Sequence, residues 1–299
     1  MSYVRLLLLI ALASLGFREI AYATTPESAV VNSAMIHTLL GAGRFEELDR
    51  IMNGVQRNFQ EGRLTEYQLR AAFRPLYDLT PTEVQKLVEW TKSYPASYAA
   101  HLALGTYYKR EGRNARGTKS AKDTPQEKFE EMYAYFKIAN KELTESLRLT
   151  KSPYLSIFHL MDIAGIVVDR EWSDSLMKQA DSLLKYNRLV RGRYFDYLAP
   201  RWGGSYDQMR TYIKSAEKNG YDKKGLLQLE AFLYSEIGEW TYISNGYSFT
   251  PEVALNMEKA LDLLYVFDDD PDDKYLVRTL KIYCKKRPTA KYCTKLTPP

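Results

Sequence analysis

The chain has 299 residues, 45% apolar and 26% charged, with 16 Gly, 12 Pro and two Cys. This excludes collagen, low-complexity disorder and a disulfide-dense miniprotein, and leaves room for one large core or two small ones. The formal charge is +5, and Tyr is abundant at 24 residues, against 4 Trp and 11 Phe.

The first element is a targeting pattern. Arg5 precedes an apolar run from Leu6 to Leu15, and Ala21-Tyr22-Ala23 gives the small-x-small pattern of a cleavage site. A bilayer-spanning helix needs about 20 apolar residues, and Arg18-Glu19 interrupt this run first. Residues 1–23 are therefore expected to be a signal peptide cleaved after Ala23, which places the mature chain in the periplasm or outside the cell. No later stretch is apolar enough to span a membrane.

Helix starts are marked by Thr-Pro, at Thr25-Pro26, Thr80-Pro81, Thr124-Pro125 and Thr250-Pro251. A Thr N-cap accepts a bond from an orphan N–H, and Pro at the next position has none to lose. Glu83 and Glu127 three residues on predict capping boxes. Asp270-Pro271 reads as another start. The acids Asp268 to Asp273 around it then favour the helix dipole, and they lack the spacing of a calcium loop. Between the caps the apolar spacing is helical. It runs through Val84, Leu87 and Val88, then Phe129, Met132, Tyr133, Phe136, Asn140, Leu143 and Leu147. It resumes at Trp172, Leu176, Ala180, Leu183 and Leu184, and again at Met209, Tyr212, Ile213 and Ala216. Tyr154–Val168 and Leu226–Ile237 are apolar nearly all round and are expected inside a helical stack. No convincing alternating strand occurs, so the predicted fold is all-α.

The segment Ala180–Leu184 is echoed at Ala216–Gly220 and Ala260–Leu264. Spacings of this size suit helix-turn-helix repeats of tetratricopeptide type, stacked as a solenoid or superhelix whose concave face binds a partner. A compact irregular bundle is the alternative.

Two loops break the rhythm. Gly112 to Thr124 is Gly-rich and basic, with Arg116 and Lys119 as candidate anion or peptide-carboxylate ligands. Its order is wrong for a P-loop and no strand precedes it. The second runs from Tyr197 to Tyr206. Pro200 ends a helix, Gly203-Gly204 allow positive φ, and Ser205 can cap the next helix with Gln208 at N3. Tyr197, Arg201, Trp202, Gly203 and Gly204 are candidate ligand-facing residues, and Arg201-Trp202 could form a cation–π pair. A structural corner is the competing reading. Gly-Gly-Ser-Tyr-Asp is no nucleophile elbow.

The stretch Tyr94-Pro95-Ala96-Ser97-Tyr98-Ala99-Ala100-His101-Leu102-Ala103, then Ala115-Arg116-Gly117-Thr118-Lys119 and Phe129, then Pro200-Arg201-Trp202-Gly203-Gly204-Ser205, carries a resemblance. Phe45-Glu46-Glu47-Leu48-Asp49 fits its opening helix. The chain resembles, over residues 35–220, a bacterial tetratricopeptide-like family, domain of unknown function 4034. The resemblance implies an all-α helical-repeat domain, often in exported proteins, and no established reaction. The expected organisation is this helical domain over 24–220, further hairpins over 221–273, and a basic helix and tail over 274–299.

Chemical motifs are sparse. His37, His101 and His159 lie far apart on predicted helices without metal-ligand spacing. His101, inside the family-like segment, is the one candidate for binding. Glu46-Glu47 and Glu130-Glu131 suit solvated helix faces. In an exported protein, Cys284 and Cys293 are expected to form a disulfide that pins the tail to the last helix, with free thiols the alternative.

The sequence therefore points to an exported module that binds a protein or peptide, an immunity protein or an envelope scaffold, without a cofactor, metal or reaction of its own. The alternative is a cell-envelope hydrolase whose site is assembled from distant residues. Without residues 1–23 the chain carries 40 Lys and Arg against 36 Asp and Glu, a formal +4. Residues 274–299 hold eight cations and no acid, so residues 24–273 carry −4. The basic balance belongs to the tail, which speaks against nucleic acid and allows contact with anionic envelope components.

Overall fold

The computed structural model describes residues 32–119, 121–265 and 274–293. The expected signal peptide, Thr25-Pro26 and the Asp268–Asp273 run lie outside these residues. Among the described residues the secondary structure is entirely helical. The helices are α1 Ser33–Gly41, α2 Phe45–Gln60, α3 Glu66–Phe73, α4 Pro81–Ser93, α5 Tyr98–Arg116, α6 Gln126–Arg148 and α7 Tyr154–Ile166. They continue with α8 Arg170–Leu183, α9 Leu189–Asp196, α10 Tyr206–Lys218, α11 Lys223–Ser244, α12 Pro251–Tyr265 and α13 Lys274–Lys286. Short 3-10 turns at Arg74–Tyr77, Ala121–Asp123 and Pro200–Trp202 join them.

Local chemistry sets most helix starts. Thr80 accepts from the Glu83 N–H and the Glu83 carboxylate accepts from the Thr80 N–H, which completes the expected capping box. Thr250 caps α12 through the Val253 N–H. At Thr124-Pro125 the expectation fails. The helix begins one residue later, at Gln126, with Pro125 in the cap position and no side-chain cap bond. Pro125 is extended there (ψ 148°), a conformation that cannot be the first helical residue.

Consecutive helices pack as hairpins, most extensively α5 on α6 and α11 on α12, with α7 on α8. The helices α5, α7 and α9 form a row, with α7 packed against each of the other two. The three echoed small residues, Ala180, Ala216 and Ala260, are all buried. The two apolar segments lie inside the stack, except that the first emerges at its end, where Val168 is 50% exposed. Every residue from Tyr154 to Gly165 is buried, and no residue from Lys224 to Glu239 is exposed.

Two readings need correction. The stripe on α6 is Phe129, Met132, Phe136, Ala139, Leu143 and Ser146, while Tyr133 and Asn140 face solvent. A 3.6-residue period drifts off a rigid i, i+4 count over six turns. The loop expected from Gly112 begins only at Gly117. The helix α5 runs on through Arg116, and Gly112 is a buried helical contact against Phe136 of α6. Gly117, in the left-handed region at φ 75°, ends it.

Candidate functional site

The polar residues of α7 recur every third position, at Ser156, His159 and Asp162, so they share one face of an otherwise apolar helix. That face meets α5, α6 and α9. Ser156 accepts from the Ser146 hydroxyl at 2.7 Å. Lys109 of α5 donates to His159 Nδ1 at 2.9 Å and to Asp162 Oδ2 at 2.5 Å. Arg193 of α9 approaches Asp162 Oδ1 at 2.8 Å, and the Tyr197 hydroxyl donates to the same oxygen at 3.2 Å. The Lys109 and Asp162 side chains are only 8% and 2% exposed, so the cluster is a desolvated hub joining three helices.

Electrostatics fix the protonation states. Burial opposes the charged Asp162 carboxylate, but Arg193, Lys109 and Arg113 outweigh it and hold the group well below the usual carboxylate range. Burial pushes the Lys109 ammonium down to about 8, against the attraction of Asp162. Burial and then Lys109 hold His159 well below the ordinary histidine range. Its ring is neutral, Nδ1 accepts from Lys109, and the Nε2–H donates to the Tyr77 hydroxyl at 2.9 Å. Gly165 makes room for this arrangement. A Cβ there would lie 2.1 Å from the Tyr197 ring, so only Gly lets that ring lie flat on α7 and reach Asp162.

The ion pairs continue from this hub. Arg193 is 3.8 Å from Asp196 one turn on, Asp196 holds Arg201 at 2.5 Å, and Arg201 reaches Glu236 of α11 at 3.1 Å. Glu239, one turn further, pairs with Arg278 of α13 at 3.1 Å and accepts from Thr279 at 2.6 Å. One row of charges thus runs from α5 to α13, alternating in sign as far as Glu236, where Glu239 sets a second acid beside it. Its far end is rich in acids. Burial, with Asp196 and Glu239 close by, raises Glu236 to about 7 despite Arg201. A second buried acid, Glu66 of α3, accepts from the Arg188 and Leu189 N–H groups at 2.8 and 3.0 Å and so anchors the start of α9.

The residues singled out from sequence fall into separate places. Tyr197 belongs to the buried hub, and Arg201 to the charge row. Trp202 packs edge-on against Tyr197 at 5.1 Å. Gly203 adopts φ 78°, and a Cβ on Gly204 would lie 2.0 Å from the Leu198 carbonyl oxygen, so the chain turns tightly there. Ser205 accepts from the Gln208 N–H at 3.1 Å, as expected of a cap. Arg116 lies over the Phe129 ring at 5.8 Å and donates to the Lys119 carbonyl at 2.6 Å, closing its own loop, while Lys119 is exposed. His101 pairs with Glu142 at 2.7 Å and bonds the Pro95 carbonyl, tying α5 to α6. Burial opposes its charge, but Glu142 prevails and raises it above the ordinary histidine value.

Sequence reasoning passed over Lys109, Asp162, Arg193 and Glu236. The three-residue spacing of Ser156, His159 and Asp162 inside an apolar helix was the available signal. A different surface gathers the half-buried tyrosines. Tyr107 and Tyr108 of α5 meet at 5.4 Å, and Tyr108 stacks on Tyr135 of α6 at 6.2 Å. Ile138, one turn beyond Tyr135, is 40% exposed. Among the described residues these three tyrosine hydroxyls make no hydrogen bond.

At the end of the chain Cys284 and Cys293 form the expected disulfide. They sit in a small core with Val253, Met257, Tyr283 and Tyr292. No helix among the described residues is long and apolar enough to cross a membrane.

A family model, domain of unknown function DUF4034, matches residues 32–189. The chain belongs to this family. The matched residues contain α1 to α8, including the Lys109–His159–Asp162 cluster, and end before the Pro200–Ser205 turn. No curated protein and no solved structure matches the chain.

Proposed function

We propose that the protein is an exported helical-repeat module, tetratricopeptide-like in its stacking, that binds a protein or peptide and catalyses no reaction. The observation that carries this reading is the contrast between committed and uncommitted groups. Lys109, His159, Asp162 and Tyr197 are spent on one another inside the stack. Tyr107, Tyr108 and Tyr135 stand half-buried on α5 and α6, their hydroxyls without a hydrogen bond among the described residues, the amphipathic chemistry enriched at interfaces. The disulfide and the pattern of residues 1–23 support an oxidising location, periplasmic or secreted. Within this reading the protein is an immunity or scaffold protein, and its basic end can touch anionic envelope components.

A second reading, a cell-envelope hydrolase, draws on Lys109, whose ammonium near 8 sits beside a neutral histidine. One experiment separates them. Immobilised wild-type protein and a Tyr108→Ala, Tyr135→Ala variant are exposed to envelope extract. Binding predicts a saturable polypeptide retained by the wild type and lost from the variant at unchanged Tm. Turnover of cell-wall material that Lys109→Met abolishes, with equal retention by both proteins, overturns it.

A further inference from the structure

We infer that the cleft between α8, α9 and α10 binds a monocarboxylate with a short apolar body. The cleft has a volume of about 370 Å³, within the range of small-molecule sites. Its charged lining is Lys185, Arg191 and Asp181, two cations against one acid.

Arg191 is held ready. Its guanidinium pairs with Asp181 at 2.7 Å, donates to the Tyr212 hydroxyl at 3.4 Å, and lies 4.6 Å above the Tyr221 ring. Its Nε is buried without a hydrogen bond in the protein. Asp181 is engaged a second time, by the Asn187 amide at 2.8 Å. Lys185 stands at the exposed rim over the Tyr186 ring at 5.0 Å and has no carboxylate partner among the described residues.

A pre-set guanidinium and an ammonium without a carboxylate partner in one cleft favour an anion, and little is lost in ordering the guanidinium. The excess of one positive charge matches a monoanion. A phosphate dianion would over-neutralise the cleft and face the Asp181 carboxylate. Met177 and Ala216 give the ligand's body an apolar wall. The site is separate from the tyrosine face and does not depend on the binding reading above.

Isothermal titration calorimetry with hexanoate, hexanol and inorganic phosphate tests the inference on the full mature chain. Hexanoate should bind at one site per chain, more tightly than either of the others. Lys185→Glu, at an exposed position, should weaken hexanoate by about tenfold or more at unchanged Tm. Arg191→Met should abolish binding, and the Lys185 variant keeps the test valid if that protein fails to fold. A leucine-ended hexapeptide, free or amidated at its C-terminus, distinguishes the source. Binding of the free form alone assigns a peptide end, and binding of hexanoate alone assigns a free acid. Equal binding of hexanol and hexanoate, tighter binding of phosphate, no effect of Lys185→Glu, or no carboxylate binding at all would overturn the proposal.

Discussion

The two ends of the charge row are built from the same residue types with opposite balance. At α5, α7 and α9, the buried Lys109 and the largely buried Arg193 converge on the single buried Asp162. At the other end, Asp196 of α9 with Glu236 and Glu239 of α11 share Arg201 and the half-exposed Arg278 of α13. The shortage at each end is of the counter-ion, so each end carries a group whose charge burial disfavours. At the first end it is Lys109, and at the second Glu236. Their pH responses run oppositely. Glu236 is raised from its ordinary 4.5 to about 7, so the folded state holds the extra proton between those values and stability falls as pH rises through that window. Lys109 is lowered from 10.5 to about 8, so the unfolded state holds the extra proton and stability rises with pH between 8 and 10.5.

Substitutions break this comparison in order of size. Asp162→Asn leaves Lys109 and Arg193 buried without a counter-charge and should cost about 3–5 kcal/mol in urea unfolding at pH 7, less above pH 8 where Lys109 gives up its proton. A cost that does not change with pH would mean that Lys109 is not the strained group. The double change Cys284→Ser, Cys293→Ser opens a short loop and should cost about 2–3 kcal/mol. The loss should appear first as proteolysis near α13, since these sulfurs belong to the small terminal core. Glu236→Gln is the smallest effect and has the opposite sign. It should gain about 1–2 kcal/mol at pH 8 and nothing at pH 4, read from paired unfolding curves. Loss at pH 8 would show that the Arg201 pair outweighs burial.

Much of the fold was legible from residues that act locally. Thr80-Glu83 and Thr250 announced their helices because a cap is satisfied within four residues. The buried α7 and α11 were legible because apolar residues fill most of their circumference, polar side chains interrupting it at only a few positions. The Thr124-Pro125 start was not, because the same dipeptide also suits an extended cap. The α6 stripe slipped because a long helix drifts from any fixed spacing. Of the candidate site, the Tyr197–Ser205 turn was recognisable from Gly203-Gly204, yet its partners were not. Arg201 meets Glu236 thirty-five positions away, and Lys109 meets Asp162 fifty-three away. A lone Lys on a helix carries no mark of what the fold will set against it.

The central claim is that the buried charge row is scaffold and that recognition lies outside it. Lys109→Met tests this most directly, because it removes the buried ammonium whose basicity burial depresses while Arg193 still holds Asp162. The account predicts a folded protein that retains envelope polypeptides in the capture assay as well as the wild type. A variant that unfolds at the wild-type temperature yet loses capture, or loses turnover of cell-wall material that the wild type performs, would contradict it.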